Sequence, residues 1–166
     1  QVTLSVPATA GGNKAPLRWG YSFGQNAGMT TENFVALLAK CPLIASVQAP
    51  PGAPLDQPDS IRRLAQSSIQ EGVGVLRVQG VADIDACRSL GVPMIGLIKR
   101  DYEGSDVRIS PTEREISELL ATSVEVIALD ATTRPRPSGS QLSGLIQQIH
   151  EGGRLAWADC DGVDSA

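Results

Sequence analysis

Five polar side chains follow apolar runs of the sequence, and their types are those of an acid–base site. Gln48, Arg77, Lys99, Asp130 and Asp159 each stand at or near the end of such a run. A lysine acts as a general base when its pKa is lowered, and an arginine supplies fixed positive charge for a developing oxyanion. Each residue taken alone is also compatible with a polar strand end that faces solvent. Five such residues in succession favour a functional site.

The apolar runs alternate with longer amphipathic segments, which predicts serial βα architecture. Most runs are continuously apolar, as is typical of parallel strands buried on both faces. We predict a short leading helix from residue 30 or 31 to before residue 42, strands at 43–48, 73–78, 94–98, 124–129 and 155–158, and helices at 58–71, 81–90, 112–121 and 140–150. An open doubly wound sheet and a closed eight-stranded barrel both fit this pattern, and in both of them ligands bind at the carboxyl ends of the strands. We therefore expect the five polar side chains to share one concavity.

Composition excludes several classes of function. The 166 residues carry a net charge of -4 and 4% aromatic side chains, which argues against nucleic acid as a partner. Three scattered cysteines and one histidine fit neither a disulfide framework nor a metal site, so we predict no metal, and they favour a reducing compartment. No apolar run reaches the length of a membrane span, and no phosphate loop of the P-loop type is present.

The first 29 residues differ from the rest of the chain. They are rich in Gly, Ala, Ser and Asn, with no sustained hydrophobic period and no continuous apolar stretch of the kind found in a secretory signal. We predict two parts: residues 1–29 as an extension with little structure of its own, and residues 30–166 as one domain.

Several segments resemble the N-acylglucosamine-6-phosphate 2-epimerase family, and the resemblance runs from about Thr30 to the last residue. Family members usually carry Cys where Val47 stands and Asn where Gln79 stands. The matching segments are Ser46-Val47-Gln48-Ala49, Leu76-Arg77-Val78-Gln79-Gly80-Val81, Ile95-Gly96-Leu97-Ile98-Lys99-Arg100-Asp101-Tyr102, Ile127-Ala128-Leu129-Asp130-Ala131-Thr132, Arg134-Pro135-Arg136-Pro137 and Ala158-Asp159.

The resemblance implies a TIM barrel that interconverts N-acetylmannosamine 6-phosphate and N-acetylglucosamine 6-phosphate. It also implies a cytoplasmic homodimer that needs no cofactor and acts in amino-sugar and sialic acid catabolism. The predicted strands start about 28 residues apart, so eight βα units would need about 220 residues, within the usual range for this barrel. We therefore expect this chain to cover the first five strands of a truncated barrel, and to be inactive by itself.

The resemblance also implies roles for the site residues. Lys99 is the expected base that removes the hydrogen at C2 of the sugar. Asp130 is expected to bind sugar hydroxyls or to orient Lys99, although an aspartate after a strand is also a common turn cap. Arg77 and Arg100 are both expected to lower the pKa of Lys99 and to contact the substrate.

The remaining predicted substrate-binding residues are Gln48, which suits the sugar or its acetamido group, and Asp159. The stretch Arg134-Pro135-Arg136-Pro137 is predicted either to contact a phosphate or a dimer partner, or to be a solvated loop. Two other functions stay open on the residues alone. One is a non-catalytic α/β module that acts in protein association. The other is a different aldose-phosphate isomerase or lyase on the same barrel.

Overall fold

The computed structural model describes residues 28–163. The predicted extension, residues 1–29, lies outside the described residues except for its last two. Five helices alternate with five strands: α1 Thr31–Lys40, β1 Ile44–Val47, α2 Pro58–Gln70, β2 Val75–Gln79, α3 Val81–Cys87, β3 Met94–Leu97, α4 Glu113–Leu120, β4 Val126–Asp130, α5 Leu142–Glu151 and β5 Leu155–Asp159. Short 3₁₀ turns lie at Arg88–Leu90 and Pro137–Gly139, and isolated antiparallel bridges pair Lys99 with Ile109 and Tyr102 with Ser105.

The five strands form one parallel sheet in the order β1-β2-β3-β4-β5. Each strand pairs with its predecessor in the chain, for example Ala45 opposite Leu76 and Asp130 opposite Asp159. A doubly wound sheet reverses its strand order at a switch point, whereas a barrel adds each strand next to the last one. The order is therefore that of a barrel, and the predicted serial βα architecture is confirmed.

The alternation of side chains along the strands divides the core into two clusters. The outer cluster joins strand residues to the inward faces of α2 to α5. Its members include Leu76, Val78, Ile127 and Leu129 from the sheet. The inner cluster holds the side chains of the opposite face, which include Val75, Ile95, Leu97, Val126, Ala128 and Trp157. Both faces of the sheet are thus apolar, which explains why the strands are continuous apolar runs.

Helix α1 lies against the inner face rather than among the outer helices. The Thr30 hydroxyl caps its first turn by accepting a hydrogen bond from the Asn33 N–H at 3.2 Å. Phe34 and Leu37 are buried in the inner cluster, and the Phe34 ring meets the Trp157 ring edge to face with 6.2 Å between centroids. The apolar part of the inner face is covered in this way, and its polar side chains are left at the carboxyl ends of the strands.

Gly96 allows α3 and α4 to approach β3 closely, and we expect Gly96→Ala to destabilise the fold. A Cβ atom there would lie 2.7 Å from Val124 Cγ1 and 3.1 Å from Ile84 Cδ1. Overpacking of this kind costs about 1–3 kcal/mol of the free energy of unfolding. The matched control is Gly144→Ala in α5, where a Cβ would meet nothing within 4 Å. Urea unfolding followed by circular dichroism measures both variants, and equal midpoints would contradict the close packing at Gly96.

Candidate active site

Polar side chains line the inner face at the carboxyl end of the sheet. On β3 the inner residues are Ile95 and Leu97, and the same alternation turns Lys99 toward the inner face. On β4 and β5 the alternation of side chains also turns Asp130 and Asp159 toward the inner face, and these two residues lie opposite each other in the strand register. Gln48 follows β1 directly on the same side. Arg77 also belongs to the inner face, two residues before the end of β2.

Lys99 is held at this edge by an amide. Its Nζ donates a hydrogen bond to Oε1 of Gln48 at 2.9 Å, and Nε2 of Gln48 donates to the Ser46 hydroxyl at 2.7 Å. Partial burial lowers the pKa of Lys99, and the positive charges of Arg77 and Arg108 lower it further, while Asp159 acts in the opposite direction. The side chain nevertheless keeps access to solvent. These surroundings increase the neutral fraction of the amine, which is the form that accepts a proton.

An ion pair crosses the concave face from β2 to β5. Arg77 donates from a terminal guanidinium nitrogen to Oδ2 of Asp159 at 2.6 Å, and both side chains are about three-quarters buried, with exposed fractions of 22% and 25%. Neighbouring strands lie about 4.8 Å apart, so β2 and β5 are separated by about 14 Å along the sheet. An arginine and an aspartate span that separation only because the sheet curves toward itself. The pair therefore lies inside the concavity, near Lys99.

A pocket of about 420 Å³ opens beside Lys99. Its walls are the loop after β1 and the loop after β3, and its lining consists of Gln48, Ala49, Pro50, Pro51, Gln79, Lys99, Asp101 and Arg108. Most of the polar groups are hydrogen-bond donors or cations, with Asp101 as the acidic exception. Its size falls in the range of small-molecule sites. The pocket can receive an anionic or polyhydroxylated small molecule with Lys99 at its wall.

Asp130 lies on the face of the site but its carboxylate shapes the local turn. Oδ1 accepts hydrogen bonds from the backbone N–H of Thr132 at 2.8 Å and from its hydroxyl at 2.7 Å. The almost completely buried guanidinium of Arg136 donates to the Asp130 carbonyl and lies 4.0 Å from Oδ1. Lys99 Nζ is hydrogen-bonded to Gln48 instead. The arrangement favours the turn-cap alternative for Asp130 over an orienting role toward Lys99.

Arg100 lies outside the site. Its guanidinium binds Glu118 of α4 at 3.0 Å and pairs with the buried Glu115 of the same helix. In extended backbone, consecutive side chains point to opposite sides, so Arg100 faces α4 while Lys99 faces the pocket. The structure thus places the Arg100 guanidinium against α4 and outside the pocket lining, and its predicted contact with the substrate stays a prediction. The cations that lower the pKa of Lys99 are Arg77 and Arg108.

Comparisons with known proteins identify the family of this chain. A family described as "Putative N-acetylmannosamine-6-phosphate epimerase" matches residues 61–166. The chain belongs to this family. A "Putative N-acetylmannosamine-6-phosphate 2-epimerase" of Clostridioides difficile (strain 630) is 46% identical over 125 residues, which are 75% of this chain and 56% of that protein. The corresponding protein of Edwardsiella ictaluri (strain 93-146) is 42% identical over 74% of this chain and 52% of its own length.

A solved structure of the same family also matches. It is that of the N-acetylmannosamine-6-phosphate 2-epimerase from Clostridium perfringens, with a TM-score of 0.72 and 41% identity over 74% of this chain and 54% of that one. The predicted membership of the epimerase family and the TIM-barrel architecture of the five βα units are thereby confirmed. The chain spans about half the length of the curated relatives it matches.

Two charged residues of the pocket, Asp101 and Arg108, are absent from the sequence-based site. Arg108 pairs with Asp101 and belongs to a segment that runs antiparallel to the residues after β3, with Lys99 opposite Ile109. No pattern in the sequence signals this pairing, because the excursion lies between predicted elements. Among residues 28–163 the helices are all too short or too polar to cross a membrane. The same part of the chain contains no cluster of acidic, histidine or cysteine side chains fit for a metal ion.

Proposed function

We propose that the whole protein that carries this sequence epimerises an N-acyl amino-sugar 6-phosphate at C2, with N-acetylmannosamine 6-phosphate as substrate and N-acetylglucosamine 6-phosphate as product. The observation that carries the proposal is Lys99, whose pKa is lowered and whose amine stands at the wall of the pocket within a cationic field. The names of the relatives support the substrate class.

The chemistry follows from the acidity of a C–H bond next to a carbonyl. In the open-chain sugar the aldehyde lies at C1, so neutral Lys99 can take the hydrogen of C2 and leave an enolate with its negative charge on O1. Arg77 provides fixed positive charge for that oxygen, and Asp159 holds the guanidinium in place. Lys99, now an ammonium, stands on one face of the planar enolate. A proton from solvent or from a second acid of the whole protein adds to the opposite face and inverts C2, and Lys99 releases its proton to solvent. The reaction is a proton transfer in both directions, with no net oxidation.

Besides Lys99, the polar residues of the pocket lining are Gln48, Gln79, Asp101 and Arg108. We assign Gln48 two tasks: it orients the Lys99 amine and presents its amide to the sugar. Asp130 is assigned to the turn that follows β4, through Thr132. Assembly as a homodimer and a cytoplasmic location remain predictions from the family resemblance.

The experiment that tests this function is hydrogen exchange at C2. The whole protein is incubated with N-acetylmannosamine 6-phosphate in deuterated water and followed by proton NMR, with the unacetylated glucosamine 6-phosphate as comparator. We expect the C2 signal to disappear while N-acetylglucosamine 6-phosphate labelled at C2 accumulates. Product that forms without deuterium, or no reaction by a folded protein, would rule out the proposed mechanism.

A further inference from the structure

A fully buried carboxylate lies behind the loop that carries Lys99, and the proposed mechanism does not use it. Oε2 of Glu115 accepts hydrogen bonds from the Thr112 N–H at 3.0 Å and the Thr112 hydroxyl at 2.6 Å. Oε1 accepts from the Tyr102 hydroxyl at 3.0 Å and from Arg100. The bonds to Thr112 are those of a helix capping box. Burial of the carboxylate and its pairing with Arg100 are more than capping requires.

Glu115 is ionised in this position. Burial by itself raises the pKa of a carboxyl group, but the hydrogen bonds from Thr112 and Tyr102 and the charge of Arg100 outweigh it and hold the pKa of Glu115 below its usual value. A buried charge that loses its partner is strongly destabilising. The pair thus fixes the Arg100 side chain firmly on the side of α4.

The backbone around Arg100 transmits this constraint to its neighbour. The Arg100 N–H donates to the Arg108 carbonyl at 3.0 Å, and Lys99 forms an antiparallel bridge with Ile109. The Ser110 hydroxyl accepts a hydrogen bond from the Ile98 N–H at 3.3 Å. Residues 98–100 are therefore extended and tied on both sides. With Arg100 held on the α4 side, the alternation of side chains leaves Lys99 only the direction of the pocket.

We propose that Glu115 and Arg100 are positioning residues, whose ion pair directs the Lys99 amine into the pocket beside Gln48. This proposal rests on the proposed function of Lys99 as the base. Neither residue contacts the pocket, so neither is catalytic. The ion pair acts on the position and surroundings of Lys99. Its removal should therefore change the titration of Lys99, which a loss of helix capping alone would not do.

The first readout is the titration of Lys99 itself, which does not depend on turnover. In the whole protein the lysine amines are dimethylated with ¹³C, and the signal of Lys99 is identified as the one that Lys99→Arg removes. This signal is titrated by NMR in the wild type and in Glu115→Gln and Arg100→Gln. Arg114→Gln is the matched control, because Arg114 is an exposed residue of the same helix that pairs with Glu118.

The direction of the shift separates the two explanations. If only charge mattered, loss of the Glu115 carboxylate would lower the pKa of Lys99, because the local field becomes more positive. If Lys99 is released from the pocket, it loses burial and the cations around it, and its pKa rises. We expect a rise for Glu115→Gln and for Arg100→Gln, and no change for Arg114→Gln. Should Glu115→Gln fail to fold by circular dichroism, the double variant Glu115→Gln with Arg100→Gln decides the question, because it leaves the net charge unchanged and no buried charge unpaired. Charge alone then predicts no shift in the pKa of Lys99, whereas release from the pocket predicts a rise.

The second readout is the kinetics of C2 exchange in the whole protein. Misplacing a reacting group by about 1 Å can cost about a hundredfold, so we expect kcat to fall about ten- to a hundredfold with little change in KM for both Glu115→Gln and Arg100→Gln. Arg100→Lys, which keeps the charge, should recover part of kcat. Loss of stability with an unchanged Lys99 titration would overturn the positioning role. An inactive wild type with the expected titration shifts would instead contradict the proposed function.

Discussion

Replacement of Lys99 by methionine is expected to reduce C2 hydrogen exchange in the whole protein by about a thousandfold, within the range of a general base. Methionine preserves the length and much of the apolar volume of the side chain but cannot accept a proton. Substrate binding should change little, since the base acts in the proton-transfer step. Exchange followed by NMR and binding measured by titration calorimetry separate the two effects. Exchange at the wild-type rate would remove Lys99 from the mechanism.

Asp130→Asn is the informative companion to this variant. The amide keeps an oxygen that can accept the two hydrogen bonds from Thr132, so the turn after β4 should survive. If Asp130 serves only that turn, the loss of exchange will be far smaller than for Lys99→Met. A loss as large as that of Lys99→Met in a folded protein would restore Asp130 to the chemistry.

Arg77→Gln is expected to produce the second large effect, in two separable parts. The variant removes a cation that lowers the pKa of Lys99, so that pKa rises and the acidic limb of the pH–rate profile moves to higher pH. It also removes the positive charge assigned to the enolate oxygen, which we expect to lower the plateau rate at high pH by about 10²–10³-fold. A full pH profile of kcat measures both parts.

Arg108→Gln is the control for the electrostatic part. Its charge also lowers the pKa of Lys99, but Arg108 pairs with Asp101 at the rim rather than with Asp159 inside the concavity. We expect a shift of the acidic limb in the same direction and a smaller loss on the plateau than for Arg77→Gln. If the limb moved to lower pH in either variant, the electrostatic account of Lys99 would be wrong.

Hydrophobic patterning was enough to predict most secondary structure. The predicted helix at 58–71 and strand at 94–98 lie within one residue of the observed Pro58–Gln70 and Met94–Leu97. The predicted helix at 81–90 was too long, because the α-helix ends at Cys87 and the next three residues form a 3₁₀ turn. Gly91 follows in the left-handed conformation and ends that turn. Local propensity and period determine such elements, while the last turn depends on surrounding contacts.

Patterning could not decide how the strands close. Continuous apolar runs show that both faces are buried, and this holds equally for an open doubly wound sheet and for a barrel. The strand order, together with the ion pair between Arg77 on β2 and Asp159 on β5, distinguishes the barrel from the open sheet. Both depend on pairing between residues far apart in the chain, which no local pattern encodes.

The site shows the same division between local and tertiary information. The sequence alone indicated that Lys99 and its neighbours at the strand ends have suitable chemistry, because strand ends recur visibly along the chain. Arg100 was assigned to the site as a cation next to Lys99, but in the structure its guanidinium binds Glu115 and Glu118 of α4. Arg108 lines the pocket because the next residue, Ile109, pairs with Lys99 ten residues earlier in the chain. The physical reason is that residue type sets what a side chain can do, whereas its direction depends on the partners that hold its backbone.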